Sequence, residues 1–255
     1  MEKLSVVIIT LNEERNISRA IQSVQSVADE VIVVDSFSTD RTAEIVKELG
    51  ATFIQKEWAG YSETKNYANL QAKYEYILSL DADEALDAEL KDQIAKVKAQ
   101  GFTGTYSVNR LTNYCGKWIR HSGWYPDRKI RIFPKSSTKW IGAYVHEELE
   151  FEEELPNTEL GGHLEHYSYY DYIDHRLRAD KYSVLTATKL HEKGEKAGIL
   201  RPWISATGRF VSMYILKLGF LDGWMGFKIA QISAQSNVLK YRELRRLNRE
   251  DEDSK

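Results

Sequence analysis

The sequence predicts an α/β protein, with a doubly wound, mostly parallel sheet in its N-terminal half and helices at its C-terminus. Three observations predict this. Short apolar runs of strand length alternate four times with helix-length segments before Gln100, the order that builds βαβ units. The runs are apolar without alternation, as strands covered on both faces are. From Tyr169 to about Leu247 only helical spacing remains, broken at Gly198, Pro202, Gly219 and Asp222-Gly223.

The elements follow in order. Leu4–Thr10 is a continuous apolar run that ends in polar residues and reads as a buried strand. Ile17, Ala20, Ile21 and Val24 fall at helical spacing within a helix expected over Glu13–Val27. Val31–Asp35 is a second buried strand, and Ser38-Thr39-Asp40 caps a helix that Gly50 ends. Ala51–Ile54 is a short strand and Tyr61–Lys73 a helix. Tyr76–Leu80 is the next strand, with a helix from about Asp87 to Gln100. Beyond Phe102 the pattern changes to short aromatic-rich stretches, Tyr106–Asn113 and Lys129–Phe133, that suggest antiparallel strands.

Composition narrows the function. The chain has 255 residues, 42% hydrophobic and 29% charged, which fits a folded globular protein. Cys115 is the single cysteine, so no internal disulfide forms, in keeping with a reducing compartment. Leu4–Ile9 is too short for a signal peptide, and no apolar stretch reaches spanning length, so a cytoplasmic location is expected. The net charge of −3 hides an asymmetry: residues 176–249 carry +10 and residues 1–175 carry −10. A basic C-terminal third suggests an anionic partner. Its aromatics read as buried, which makes nucleic acid the weaker of the two candidates and leaves an anionic membrane surface.

Chemistry gathers at strand ends, where ligands sit in doubly wound sheets. Thr10, Asn12 and Glu13 follow the first strand, Asp35 closes the second, and Asp81 and Asp83 close the fourth. Two acids at spacing i, i+2 on an extended chain end can face one hard cation that keeps positions open for phosphate oxygens. Asp35 can accept hydrogen bonds from ribose hydroxyls or a base N–H. Helix capping accounts for Asn12 and Glu13 equally well. No glycine-rich phosphate loop follows Thr10, which excludes a dinucleotide oxidoreductase and weighs against a sugar-phosphate nucleotidyltransferase. A non-catalytic nucleotide-sugar-binding, membrane-associated protein is the non-enzymatic alternative.

Four motifs then converge: SVVIITLNEERNI at Ser5–Ile17, VVDSFSTDRT at Val33–Thr42, Lys65-Asn66, and Asp81-Ala82-Asp83. Together they resemble the family 2 inverting glycosyltransferases of GT-A fold. WIGAYVHE at Trp140–Glu147 and LKLGFLDGWMGF at Leu216–Phe227 resemble the lipopolysaccharide core β-glucosyltransferase subgroup. One motif departs: the usual Asp-Asp-Gly-Ser is Asp35-Ser36-Phe37-Ser38 here, which puts base recognition by that loop in doubt.

The resemblance implies transfer of a hexose, glucose foremost, from a UDP-sugar to a lipopolysaccharide core or other lipid-linked acceptor. It implies Mg²⁺ or Mn²⁺ held by Asp83 and Asp81, because the leaving diphosphate must be neutralised. His146 and His166 are candidates to ligate the metal or to bind phosphate, a structural hydrogen bond being the alternative for each. Lys65 takes the basic position that meets the diphosphate, and Thr10, Asn12, Glu13, Asp35 and Asp81 line the nucleotide-sugar pocket. An inverting transfer needs a general base, for which Glu147 and Asp127 both qualify. Arg128 and Arg131 are candidates to clamp an acceptor phosphate. The implied organisation is a catalytic domain over 1–168 (nucleotide-sugar binding in 1–100, acceptor side in 101–168) and a helical extension over 169–255. In that extension Trp224, Met225, Phe227 and Ile229 form an apolar face with Lys228, Arg242 and Arg246 nearby. Such a face suits the membrane interface, peripheral on the inner side of the cell membrane.

Overall fold

A computed structural model describes residues 2–142 and 147–253. They form two compact units, one of residues 1–111 with 127–167 and one of 112–126 with 168–255.

In the first unit β1 (Leu4–Thr10), β2 (Glu30–Asp35), β3 (Thr52–Gln55) and β4 (Tyr76–Asp81) lie parallel in the order β3-β2-β1-β4. Alternate residues of these β-branched strands go to opposite faces. Leu4, Val6, Ile8, Val33, Leu78 and Leu80 meet α1 (Ile17–Val24), α2 (Thr42–Glu48) and α4 (Ala88–Gln100) on one face. Val7, Ile32, Val34 and Ile77 meet α3 (Tyr61–Gln71) on the other, with Phe133 and Trp140. The expected doubly wound sheet is therefore present. Asp87 caps α4, accepting from Leu90 N–H at 2.7 Å.

Antiparallel strands then widen the sheet. β8 (Arg128–Pro134) pairs with β4, followed by β6 (Thr105–Tyr114), β11 (Asn157–Tyr169) and β5 (Glu84–Leu86). The hairpin of β9 (Thr138–Ile141) and β10 (Glu148–Phe151) forms a separate two-stranded sheet. Asn66 of α3 fixes β9: its side chain accepts from Trp140 N–H and donates to Trp140 C=O, both at 2.8 Å. Asp29 ties the start of β1 to α4, accepting from Lys3 and from Leu4 N–H at 2.9 Å each and from Lys98. Burial alone would raise its carboxyl, but Lys98, Lys3 and the Leu4 N–H outweigh burial and bring it down to about 2.

The second unit contains β7 (Lys117–Trp118), paired to the end of β6, and then α5 (Tyr172–Glu192) and α6 (Arg201–Phe210). A π-helical turn at Val211–Leu216 and a 3₁₀ turn at Gly219–Asp222 lead into α7 (Gly223–Asp253), which packs on α5 and α6. Segment 112–126, expected on the acceptor side, belongs to this unit. Its core is Tyr114, Ile119, Met213, Ile229 and Ala230. The Tyr114 hydroxyl and His175 Nδ1 share a hydrogen bond at 2.7 Å, and burial holds that imidazole neutral with its pKa down to about 4. The expectation that Ile229 lies on an outward apolar face is corrected here: it is fully buried, because α7 turns that side to its own core. Asp222 is buried too, accepting from the N–H groups of Arg120 and His121 at 3.2 and 2.9 Å.

Two outcomes follow from this packing. A Cβ on Gly226 would stand 1.9 Å from the Gly219 carbonyl oxygen, against backbone rather than a yielding side chain. Gly226→Ala is expected to destabilise the protein by about 1–3 kcal/mol in urea unfolding, as overpacking does. Asp29 is depressed when folded, so its contribution is complete above its unfolded pKa and is lost as pH falls from about 4 towards about 2. Stability measured at stepwise lower pH should fall through that window, and Asp29→Asn should flatten the fall.

Candidate active site

The carboxyl ends of β1, β2 and β4 gather the predicted acids. Asp81 is the last residue of β4. Its Oδ1 lies 3.0 Å from Lys65 Nζ and its Oδ2 2.8 Å from Arg131 Nη2. Burial would raise the Asp81 carboxyl, but the two cations outweigh burial and hold it well below the usual carboxylate range.

Arg131 also reaches Glu84, the fully buried acid that opens β5. Burial opposes the Arg131 charge, yet Glu84 and Asp81 more than restore it and raise its pKa. The strand register explains the placement. Tyr106 pairs with Ile132 and Ser107 with Ile130, so Arg131 is the extra residue of a β-bulge, a device that re-aims a side chain. Arg131 is only 3% exposed, so it is not the acceptor clamp the sequence suggested. Arg128 is exposed and pairs with Glu159 at 2.9 Å.

Asp83 lies apart from this network. Glu84 pairs with His166 across β5 and β11, and Tyr167 N–H donates to Asp83 C=O at 2.9 Å. That register sets His166 Nε2 3.2 Å from Asp83 Oδ2. Among the described residues no group of three or more acidic, histidine or cysteine side chains surrounds one point. A carboxylate plus an imidazole is nonetheless a workable donor set for a divalent ion that takes its remaining ligands from phosphates and water. Both Asp81 oxygens already face cations, so Asp83 and His166 fit the ion better than Asp81 does. His146 lies outside the described residues.

Lys65 joins two predicted residues. Buried in α3 and 4.6 Å over the Trp140 ring, its Nζ also lies 3.5 Å from Glu147 Oε1. Glu147 sits just before β10 with its side chain 21% exposed and, among the described residues, this long contact is its one charged partner. Asp127 differs. Arg110 Nη2 and Nε approach its Oδ2 at 2.7 and 2.8 Å, and Lys129 approaches its Oδ1 at 3.1 Å. Burial raises the Asp127 carboxyl, but Arg110 and Lys129 outweigh it and leave the pKa lowered, unfavourable for a base.

The loops after β1 and β2 are cross-linked to each other. Asn12 N–H donates to Ser38 Oγ and Asn12 Oδ1 accepts from Thr39 N–H, both at 2.8 Å. Glu13 N–H donates to Thr42 Oγ1 at 2.8 Å, and Glu14 N–H to Asp40 at 3.1 Å. Asp35 is fully buried and accepts from the Ser38 N–H and hydroxyl. Its carboxylate thus shapes its own loop. Phe37, where the resembling motif has glycine, is exposed with φ +63°, a conformation that favours glycine. Thr10 Oγ1 and Arg131 Nε are buried without a hydrogen-bond partner among the described residues.

A nucleotide-type α/β sheet with a charge-balanced acid cluster at its strand ends defines an enzyme of the nucleotide-handling class. The chain belongs to glycosyl transferase family 2, whose model matches residues 5–156. An uncharacterized glycosyltransferase of Rickettsia typhi is 33% identical, over 97% of this chain and 88% of its own. The lipopolysaccharide core biosynthesis glycosyltransferase LpsC of Rhizobium meliloti is 27% identical over 94% of each chain. Among solved structures, TarS of S. aureus (residues 1–349, in complex with UDP) is 16% identical with a TM-score of 0.47, over 98% of this chain and 92% of that one. The protein is therefore a glycosyltransferase, which sets aside the nucleotidyltransferase and non-catalytic readings.

The signals missed in the sequence are Glu84, Arg110 and the true role of Arg131. Replacing Arg131 by Met leaves Glu84 with only the longer 3.5 Å contact to Arg110 and the Asp81 N–H, and removes one of the two cations at Asp81. Breaking a buried pair in this way is expected to cost about 3–5 kcal/mol in urea unfolding. Double replacement of Arg131 and Glu84 by Met and Gln should cost less than the sum of the single changes.

Proposed function

We propose that this glycosyltransferase moves a hexose, glucose foremost, from a UDP-sugar to a lipopolysaccharide core or other lipid-linked acceptor, with inversion. The observation that carries the reading is the division of labour at the end of β4. Asp81 is locked by Lys65 and Arg131, while Asp83 faces His166. The similarity to LpsC along 94% of both chains supports a core-type acceptor. Asp83 and His166 would hold Mg²⁺ or Mn²⁺, which when bound neutralises charge on the leaving diphosphate. Lys65, paired with Asp81, contributes a positive charge at the end of β4.

Glu147 serves as the base. It takes the proton of the acceptor hydroxyl, whose oxygen forms the new bond to the anomeric carbon as the bond to UDP breaks. Among the described residues its charged contact is the long one to Lys65, whereas Asp127 is gripped at short range by Arg110 and Lys129. Thr10 lines the donor side with a buried hydroxyl. Asn12, Glu13 and Asp35 shape that side by holding its two loops together.

UDP release from UDP-glucose, with a purified core oligosaccharide and either metal, tests the reading. Asp83→Asn and His166→Ala should each abolish metal-dependent turnover with the unfolding curve unchanged. Glu147→Gln should lower kcat by about 10²–10⁴-fold, the usual range for a lost general base, with KM for the donor little changed. Asp127→Asn should lower kcat far less. A larger loss at Asp127 than at Glu147 would reverse the assignment.

A further inference from the structure

The second unit carries an apolar surface that its own core does not use. In α6 the residues turned inward are small, Pro202 and Ala206, while Trp203 and Ile204 point outward. A helix of a soluble protein has the opposite polarity. The surface continues through the two short turns that follow. Leu200, Ile204, Leu216 and Trp224 are 66%, 65%, 73% and 60% exposed, and Leu221 is exposed beside them. Scattered exposed apolar residues are ordinary, but a dense run on consecutive turns marks an interaction site.

Charge selects the occupant. Between Lys196 and Arg242 the chain has a single carboxylate, Asp222. That side chain is 3% exposed and is taken up by His121 Nδ1 at 3.0 Å and by two backbone amides. The exposed charges of the segment are all positive: Arg201, Arg209 and Lys217. A second copy of the chain is disfavoured, because a twofold contact would set these cations against themselves. Among the described residues no helix is long and apolar enough to cross a membrane. Two tryptophans at the surface, apolar residues between them and a cationic rim suit a structure that lies in the headgroup region.

We infer that residues 199–224 form a docking surface for an anionic lipid bilayer, into which Trp203, Ile204, Leu216, Leu221 and Trp224 insert while Arg201, Arg209 and Lys217 meet lipid phosphates. The surface shares Trp224 with the α7 face that the sequence suggested and otherwise lies on residues 199–221. It requires neither sugar donor nor acceptor, so vesicle binding and turnover stand or fall separately.

The test is sedimentation of the full chain with phosphatidylcholine vesicles, with and without phosphatidylglycerol, followed by tryptophan emission. The expected result is binding to the anionic vesicles, a blue shift on binding, and weakening by added salt. Leu216→Glu with Leu221→Glu should reduce partitioning at least about tenfold, since two charges enter an apolar contact. Arg201→Gln with Lys217→Gln, which leaves the apolar surface and Arg209 in place, should weaken binding to anionic vesicles severalfold and reduce its salt dependence. It also keeps the question open to test if the leucine variant does not fold. Absence of wild-type binding to anionic vesicles, or equal binding by the arginine–lysine variant, would overturn the inference. So would a wild-type dimer in light scattering that Leu216→Glu with Leu221→Glu makes monomeric, because the surface would then be a contact between copies.

Discussion

The site depends on the Asp81 carboxylate held between two cations. Asp81 and Glu84 stand three residues apart at the end of a buried strand, and two carboxylates so placed need cations beside them. Arg131 compensates both at once, and Lys65 takes the second oxygen of Asp81. Arginine suits the position because it remains charged in a dry surround, where its Nη2 meets both carboxylates. The β-bulge that aims Arg131 is the backbone's contribution, since a regular strand would alternate it with Ile130 and Ile132 in the β6–β8 ladder. With Asp81 fixed, the short turn into β5 leaves Asp83 as the carboxylate placed toward His166.

The same logic explains the loops after β1 and β2. Their polar side chains read as ligand contacts in the sequence, yet most spend their hydrogen bonds on each other. Asp35 turns its own loop through Ser38, and the loop holds Phe37 at a positive φ where glycine would sit without strain. A non-glycine residue is kept there only when its neighbours over-determine the turn, and the Asn12–Ser38–Asp35 bonds do so. The two loops are therefore held to each other by their own hydrogen bonds, and preorganisation of this kind lowers the ordering cost of binding.

How far this was legible in the sequence depends on the range of each interaction. β1 and β4 could be read almost to the residue, because an unbroken apolar run between turn signals is a local pattern. So could the placement of Asp35, Asp81 and Asp83 at strand ends, which follows from the same runs. The antiparallel half was visible only as aromatic-rich stretches, since β8 beside β4 and β11 beside β5 are pairings across dozens of residues. Arg131 read as a candidate acceptor clamp because nothing local announces a bulge. Glu84 carried no local signal of its own, and the β5–β11 pairing places it in the interior. Segment 112–126 could not be assigned to the helical unit, because its ties to that unit include Asp222, a hundred residues away.

The C-terminal helices show a different limit. Helical spacing identifies an apolar stripe but does not say which side of the chain is the inside. In α7 the stripe containing Ile229 and Ala230 closes on Tyr114 and Met213 and is ordinary core. In α6 the inward positions hold proline and alanine, which let the helix pack closely, so the larger side chains are left outside. The discriminating signal was present in the sequence as an absence: one carboxylate between Lys196 and Arg242, which the fold then buries. Solvated helix faces normally mix both charge signs. A face stripped of exposed acids and enriched in tryptophan, leucine and isoleucine is costly in water, and it is stable in use only when something apolar and anionic covers it.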